Sequence, residues 1–170
     1  MKKRILLTSF DTWLSDQLSN SSDDLLLEVT KLELIPHALT FLRQLSVDVQ
    51  IASCQVIEKI NEMQPDCIIC CGMAASRKQL SVELRASCGE SILHTGVDLE
   101  QLVAGTAAIE ISHDCGKFVC EGLYYSVLEY LCQSQLSTRC IFVHVPLINE
   151  ENLSEILTDF VLIINKLALL

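Results

Sequence analysis

Residues Cys67–Cys71, reading CIICC, form an unbroken apolar run held between Pro65 and Gly72. A short run of this kind, with no polar position to face water, fits a central strand covered on both faces. Such a strand needs partners along its edges and layers above and below it. The rest of the chain supplies them in alternation. Arg4–Phe10, Val47–Ala52, Ser81–Arg85, Ala107–Ile111 and Arg139–Val145 read as further strands. Helices are expected from Asp24 to about Glu33, over His37–Leu45 behind Pro36, and over Val56–Met63, Gly116–Gln133 and Glu151–Leu169. Strands separated by helix-length segments predict an α/β chain, a three-layer α/β/α sandwich around a mostly parallel, mixed central sheet. Neither a linker nor an internal repeat interrupts the pattern, so residues 1–170 are expected to form a single domain.

The charge balance narrows the function classes. A formal net charge of −10 repels phosphate backbones and anionic lipid surfaces, so neither nucleic acid nor membrane is an expected partner. No stretch reaches the roughly 18 apolar residues of a membrane span, and no signal-peptide core follows Met1-Lys2-Lys3-Arg4. The nine cysteines are odd in number and several stand inside apolar runs. That is the usage of a reducing compartment, and a cytoplasmic location is expected. No GxGxxG or GxxxxGK[ST] loop is present, which leaves nucleotide binding without support.

Several groupings have the residue types of a reactive site. Cys67-x-x-Cys70-Cys71 has a metal or redox spacing, but Ile68 and Ile69 between the thiols place it in a buried strand, where cysteine packs as a small hydrophobe. Ser112-His113-Asp114 has the composition of a serine triad, but adjacent side chains do not point at one another, and a turn or helix cap is the expected role. Cys120 falls near the start of the helix after that turn, where unpaired N–H groups and the positive dipole end favour a thiolate. His144 ends the apolar strand CIFVHV, and functional groups of α/β sheets gather at strand carboxyl ends. Taken singly, each of these reads more readily as a core or turn residue than as a catalytic one, and Glu83 as an ordinary surface carboxylate.

Four segments in order carry a resemblance. Ser112-His113-Asp114-Cys115-Gly116-Lys117-Phe118-Val119-Cys120-Glu121 follows a pattern S-x-x-A-G-x-Y-x-C-N. His144-Val145-Pro146 follows an apolar strand ending H-V-P. Gly72-Met73-Ala74-Ala75-Ser76-Arg77 followed by Glu83 follows G-x-A-x-x-R and a glutamate. Thr8-Ser9-Phe10-Asp11-Thr12-Trp13 follows T-G-F-x-x-F. The chain thereby resembles the pyroglutamyl peptidase I (pyrrolidone-carboxylate peptidase) family, the C15 cysteine peptidases, over nearly its whole length.

The resemblance implies removal of an N-terminal pyroglutamyl group from a small peptide substrate by a Cys–His–Glu triad. Cys120 is the implied nucleophile, His144 the general base and Glu83 the group that orients it. Phe10 and Trp13 are implied to wall an apolar pocket for the substrate ring. The family implies no metal and no cofactor, and its members commonly form homo-oligomers.

The departures are specific. Cys115 stands at the motif alanine, Glu121 at the asparagine after the nucleophile, Ser9 at a glycine and Trp13 at a phenylalanine. Gly89–Val103 matches nothing of the D-A-R-I-P-D-N loop. A carboxylate at 121 turned inward raises the Cys120 pKa. The alternatives kept open are a non-catalytic binding descendant of the fold and a hydrolase of a different small amide.

Overall fold

The computed structural model describes all residues 1–170. Its strands are β1 (Arg4–Phe10), β2 (Ala38–Leu45), β3 (Cys67–Met73), β4 (Leu80–Glu83), β5 (Arg85–Cys88), β6 (Ser91–His94), β7 (Ile109–Ser112) and β8 (Arg139–Val145). The helices are α1 (Ser21–Thr30), α2 (Val49–Met63), α3 (Leu99–Val103), α4 (Val119–Gln133) and α5 (Leu153–Leu169). Six strands make one sheet in the order β2-β1-β3-β8-β4-β7, and β5 and β6 make a separate antiparallel hairpin. Every pairing in the large sheet is parallel except β4 with β8.

The apolar run that demanded two covered faces is β3, third in the sheet, with Cys67–Gly72 buried. Successive side chains alternate between two cores. Ile69 and Cys71 join Ile5, Leu7, Ile141 and Val143 beneath α1, α3 and α5. Ile68 and Cys70 join Leu6, Phe10, Cys140 and Phe142 beneath α2 and α4. The α/β/α architecture is therefore the expected one, and its helices divide by which apolar stripe they own. On α2 the stripe is Ala52, Val56 and Ile60; on α5 it is Ile156, Phe160, Ile163, Ile164 and Leu167.

Two segments differ from their sequence reading. His37–Leu45 reads as a helix because Pro36 suits a first helical turn, yet Ala38–Leu45 is the edge strand β2, parallel to β1. Its alternation is real: Leu39 and Phe41 pack toward one core and Leu42 toward the other. The pairing shifts register between Thr8 and Phe10, and Gln44 takes a positive φ of 58°, which carries Leu45 into the same core as Leu42. Val47–Ala52 alternates like a strand but opens α2, because the Asp48 side chain accepts the Ile51 N–H and caps the helix.

A half-buried ion pair joins this edge to α1. Arg43 donates from Nε and Nη2 to the two Asp23 oxygens, each at 2.8 Å, and Ser9 Oγ donates to Asp23 Oδ1 at 2.7 Å. The bidentate geometry fixes the end of β1, from which Phe10 reaches the site. No helix is long and apolar enough to cross a membrane.

Candidate active site

Three parallel strands, β1, β3 and β8, end side by side and carry Phe10, Gly72 and His144 at that edge. Ser81 of β4 pairs with His144. Because β4 runs the other way, Glu83 lies two residues deeper in the sheet on the face that His144 uses. Glu83 is 0% exposed and His144 5%. His144 Nδ1 and Glu83 Oε1 are 2.6 Å apart, the distance of a charge-assisted hydrogen bond. With Nδ1–H donated to the carboxylate, Nε2 is the ring nitrogen left to accept a proton.

An isolated buried carboxylate is costly, and Arg77 meets that cost. Its Nη1 donates to Glu83 Oε1 at 2.7 Å and also to Ser81 Oγ. Its Nη2 donates to Ser112 Oγ at 3.2 Å and to the Asp114 carbonyl at 2.9 Å. One guanidinium thus ties the carboxylate to the turn that precedes α4. Sequence reasoning used Arg77 only as a spacing marker. Its charge and its place ahead of Glu83 were the available signal.

The turn itself depends on Gly116, whose φ of 90° is open to glycine and strained for other residues. Asp114 Oδ1 accepts the Gly116 N–H, and helix α4 then begins at Val119, three residues later than expected. Ser112-His113-Asp114 is a turn, as its adjacency required. Phe118 is the N-cap and makes no side-chain cap, so the first N–H groups of α4 are not claimed by a capping side chain. Cys120 follows in that first turn.

Gly72 decides how close Cys120 can come. A Cβ there would lie 2.5 Å from Cys120 Sγ and 2.9 Å from Phe142 Cζ. Gly72 pairs with His144 across β3 and β8, so the sulfur rests over the strand next to the imidazole. Cys120 and His144 line one pocket of about 370 Å³ together with Phe10, Trp13, Met73, Arg77, Cys115, Phe118 and Val119. Sulfur and imidazole do not hydrogen-bond in this structure. Catalytic pairs are commonly longer without substrate. We expect Gly72→Ala to lower kcat/KM by roughly 100-fold, since a displacement near 1 Å suffices for that. Overpacking also costs about 1–3 kcal/mol of stability. Steady-state kinetics with denaturant unfolding of the same variant checks both.

Phe10 and Trp13 both line the pocket. Phe10 is buried in its floor. Trp13, 52% exposed, meets Phe118, 70% exposed, edge to face with ring centroids 6.0 Å apart. Phe118 was visible in the sequence only as the motif aromatic.

Two expectations about charge change. Helix position alone favours a Cys120 thiolate, but burial first, and then Glu83, push its pKa up to about 12. Its own backbone N–H and Arg77 pull the other way and lose. The feared contribution of Glu121 is absent, because its carboxylate turns to the β5 strand and accepts the Ser87 N–H at 3.0 Å. The second surprise is Cys115. Its sulfur, a Glu83 oxygen and a His144 nitrogen all lie within 4.8 Å of one another. Cys115 is only 4% exposed, and burial followed by Glu83 drives its pKa far upward.

A carboxylate–imidazole pair beside thiols, set at the strand ends of an α/β/α sheet, is the equipment of a cysteine peptidase. Residues 99–162 match the family model of the pyroglutamyl peptidases, Peptidase_C15. The pyrrolidone-carboxylate peptidase of Thermoanaerobacter sp. (strain X514) is 27% identical, the match covering 84% of this chain and 82% of that one. That of Bacillus subtilis (strain 168) is 23% identical over 91% and 83%. Among solved structures, pyroglutamyl peptidase I from Bacillus amyloliquefaciens superimposes with a TM-score of 0.88 at 22% identity, covering 100% of this chain and 97% of that one. The pyrrolidone carboxyl peptidase of Thermococcus litoralis gives 0.84 at 14% identity, over 98% and 93%. In sequence and in fold the chain is similar to the C15 pyroglutamyl peptidases.

Proposed function

We propose that this chain, acting as one domain over residues 1–170, hydrolyses the amide bond after an N-terminal pyroglutamyl group of a small peptide. The observation that carries the reading is the 2.6 Å His144–Glu83 pair opening onto the pocket that Cys120 lines. Cys120 Sγ attacks the carbonyl carbon while His144 Nε2 takes the thiol proton. Glu83 Oε1 accepts Nδ1–H and so holds the tautomer and favours the imidazolium. The uncapped N–H groups at the start of α4 are the donors available to the developing oxyanion. The imidazolium returns its proton to the departing amine, leaving a thioester, which water attacks with His144 again as base. Phe10, Trp13 and Phe118 offer apolar surface to the five-membered ring. A reducing, cytoplasmic setting suits nine free cysteines.

The test is release of a fluorophore from a pyroglutamyl amide by the full chain. Turnover supports the reading, and an inert protein under reducing conditions overturns it in favour of a binding descendant of the fold. The resting state has its own signature. Below a pKa of about 12 the Cys120 thiolate fraction rises tenfold per pH unit. Iodoacetamide should therefore label Cys120 slowly at neutral pH and progressively faster from there to pH 10, as followed by peptide mass mapping. Rapid labelling at neutral pH would instead indicate a preformed thiolate–imidazolium pair.

A second assignment within the same activity has one observation in its favour. Cys115, rather than Cys120, supplies the sulfur grouped within 4.8 Å of Glu83 and His144. Its deeper burial and its place outside the helix N-terminus weigh against it as the nucleophile.

A further inference from the structure

We propose that Cys115, His144 and Glu83 form an inhibitory binding site for a borderline-soft divalent cation of the Zn²⁺ class. Thiolate sulfur, imidazole nitrogen and carboxylate oxygen are the three donor types that Zn²⁺ takes. Here one of each lies within 4.8 Å of the other two. Around a tetrahedral zinc, bond lengths of about 2.0–2.3 Å set donors roughly 3.5 Å apart, so the site closes by a movement on the order of 1 Å.

Three further features favour a cation here. Glu83 divides its two oxygens unequally. Oε1 receives both His144 Nδ1 and Arg77 Nη1, while Oε2 is buried and has no hydrogen-bond partner. A buried carboxylate oxygen without a donor is a ligand with nothing to give up. Cys115 and His144 also line the open pocket, which provides an entry path. Finally, the formal net charge of −10 draws cations toward the chain.

Binding releases the Cys115 thiol proton to solvent and forms a metal–sulfur bond in its place. Whichever ring nitrogen the metal takes, the imidazole loses either its lone pair or its link to Glu83. In both cases His144 can no longer serve as a base. In the hydrolysis assigned to Cys120, the Cys115 sulfur makes and breaks no bond, and metal binding is read directly rather than through turnover.

The experiment is calorimetric titration of the full chain with Zn²⁺, paired with Co²⁺ absorption to report sulfur ligation. Exposed Cys54, Cys88 and Cys132 are replaced by serine to silence the surface. The expected result is one strongly bound Zn²⁺ per chain and a sulfur-to-Co²⁺ charge-transfer band. Cys115→Ala should weaken Zn²⁺ by roughly 100-fold or more and remove the band, and Cys115→Ser should do the same should the alanine variant fold poorly. Absence of strong binding, or affinity that survives both Cys115 variants, overturns the proposal. Loss of binding in Cys120→Ala with no loss in Cys115→Ala overturns it equally, by moving the metal onto the nucleophile. These readings need no substrate, so an inert enzyme leaves the metal site standing.

Discussion

Cys120→Ala should lower kcat/KM on a pyroglutamyl amide by on the order of 10⁴-fold or more, the scale on which removal of a covalent nucleophile acts. Cys115→Ala, measured beside it, should retain activity within about tenfold. Its sulfur sits off the helix N-terminus, and alanine is the residue that the motif has at this position. The two variants decide the nucleophile. Each thiol lies near the imidazole, but only Cys120 combines the first turn of α4, pocket exposure and contact over Gly72. The opposite pattern, with Cys115→Ala inert and Cys120→Ala active, moves the nucleophile to residue 115. Circular dichroism and unfolding of both variants separate lost chemistry from lost fold. Neither substitution removes a hydrogen-bonded charge, so both chains should remain folded.

Glu83→Gln should lower kcat by roughly 10³–10⁴-fold with a smaller change in KM. An amide cannot hold the Nδ1–H tautomer as a carboxylate does, and it withdraws the charge that stabilises the imidazolium. The same change strands Arg77, whose Nη1 loses an ionic partner at 2.7 Å in a largely buried place. Stability should therefore fall as well, by about 3–5 kcal/mol if the guanidinium stays buried without its partner. Kinetics at saturating substrate and urea unfolding measure the two effects. Arg77→Met tests the converse. It leaves Glu83 with His144 alone at Oε1 and frees the turn before α4 from the carboxylate, and should lower both kcat/KM and stability. A clamp of purely structural importance would lower stability and leave kcat/KM unchanged.

Much of this molecule was legible before any coordinates. Arg139–Val145 is β8 to the residue, and Cys67–Cys71 lies wholly within β3, because a strand buried on both faces shows as an uninterrupted apolar run. Cys120, His144 and Glu83 were named through ordered motifs; His144 and Glu83 form one hydrogen-bonded pair, and Cys120 lines the same pocket as His144. The failures sit where local signals compete. In His37–Leu45 the proline that suits a helix start instead precedes an edge strand with a register shift. In Val47–Ala52 a capping aspartate overrules an alternating pattern. The first was resolved by a neighbour distant in sequence, since β1 pairs with β2, and the second by a local cap, since Asp48 accepts the Ile51 N–H.

The sequence by itself determined the alternation of strands and helices, the fully buried strand and the order of the reactive residues, since these follow from local periodicity and spacing. Only the tertiary structure decided the electrostatics of the site. Burial raises the Cys120 thiol against the helix N-terminus, Glu121 turns to Ser87, and Arg77 clamps Glu83. It alone brings Cys115 beside the carboxylate and imidazole. Desolvation and charge pairing depend on distances between residues that lie tens of positions apart, and no local pattern in a chain records them.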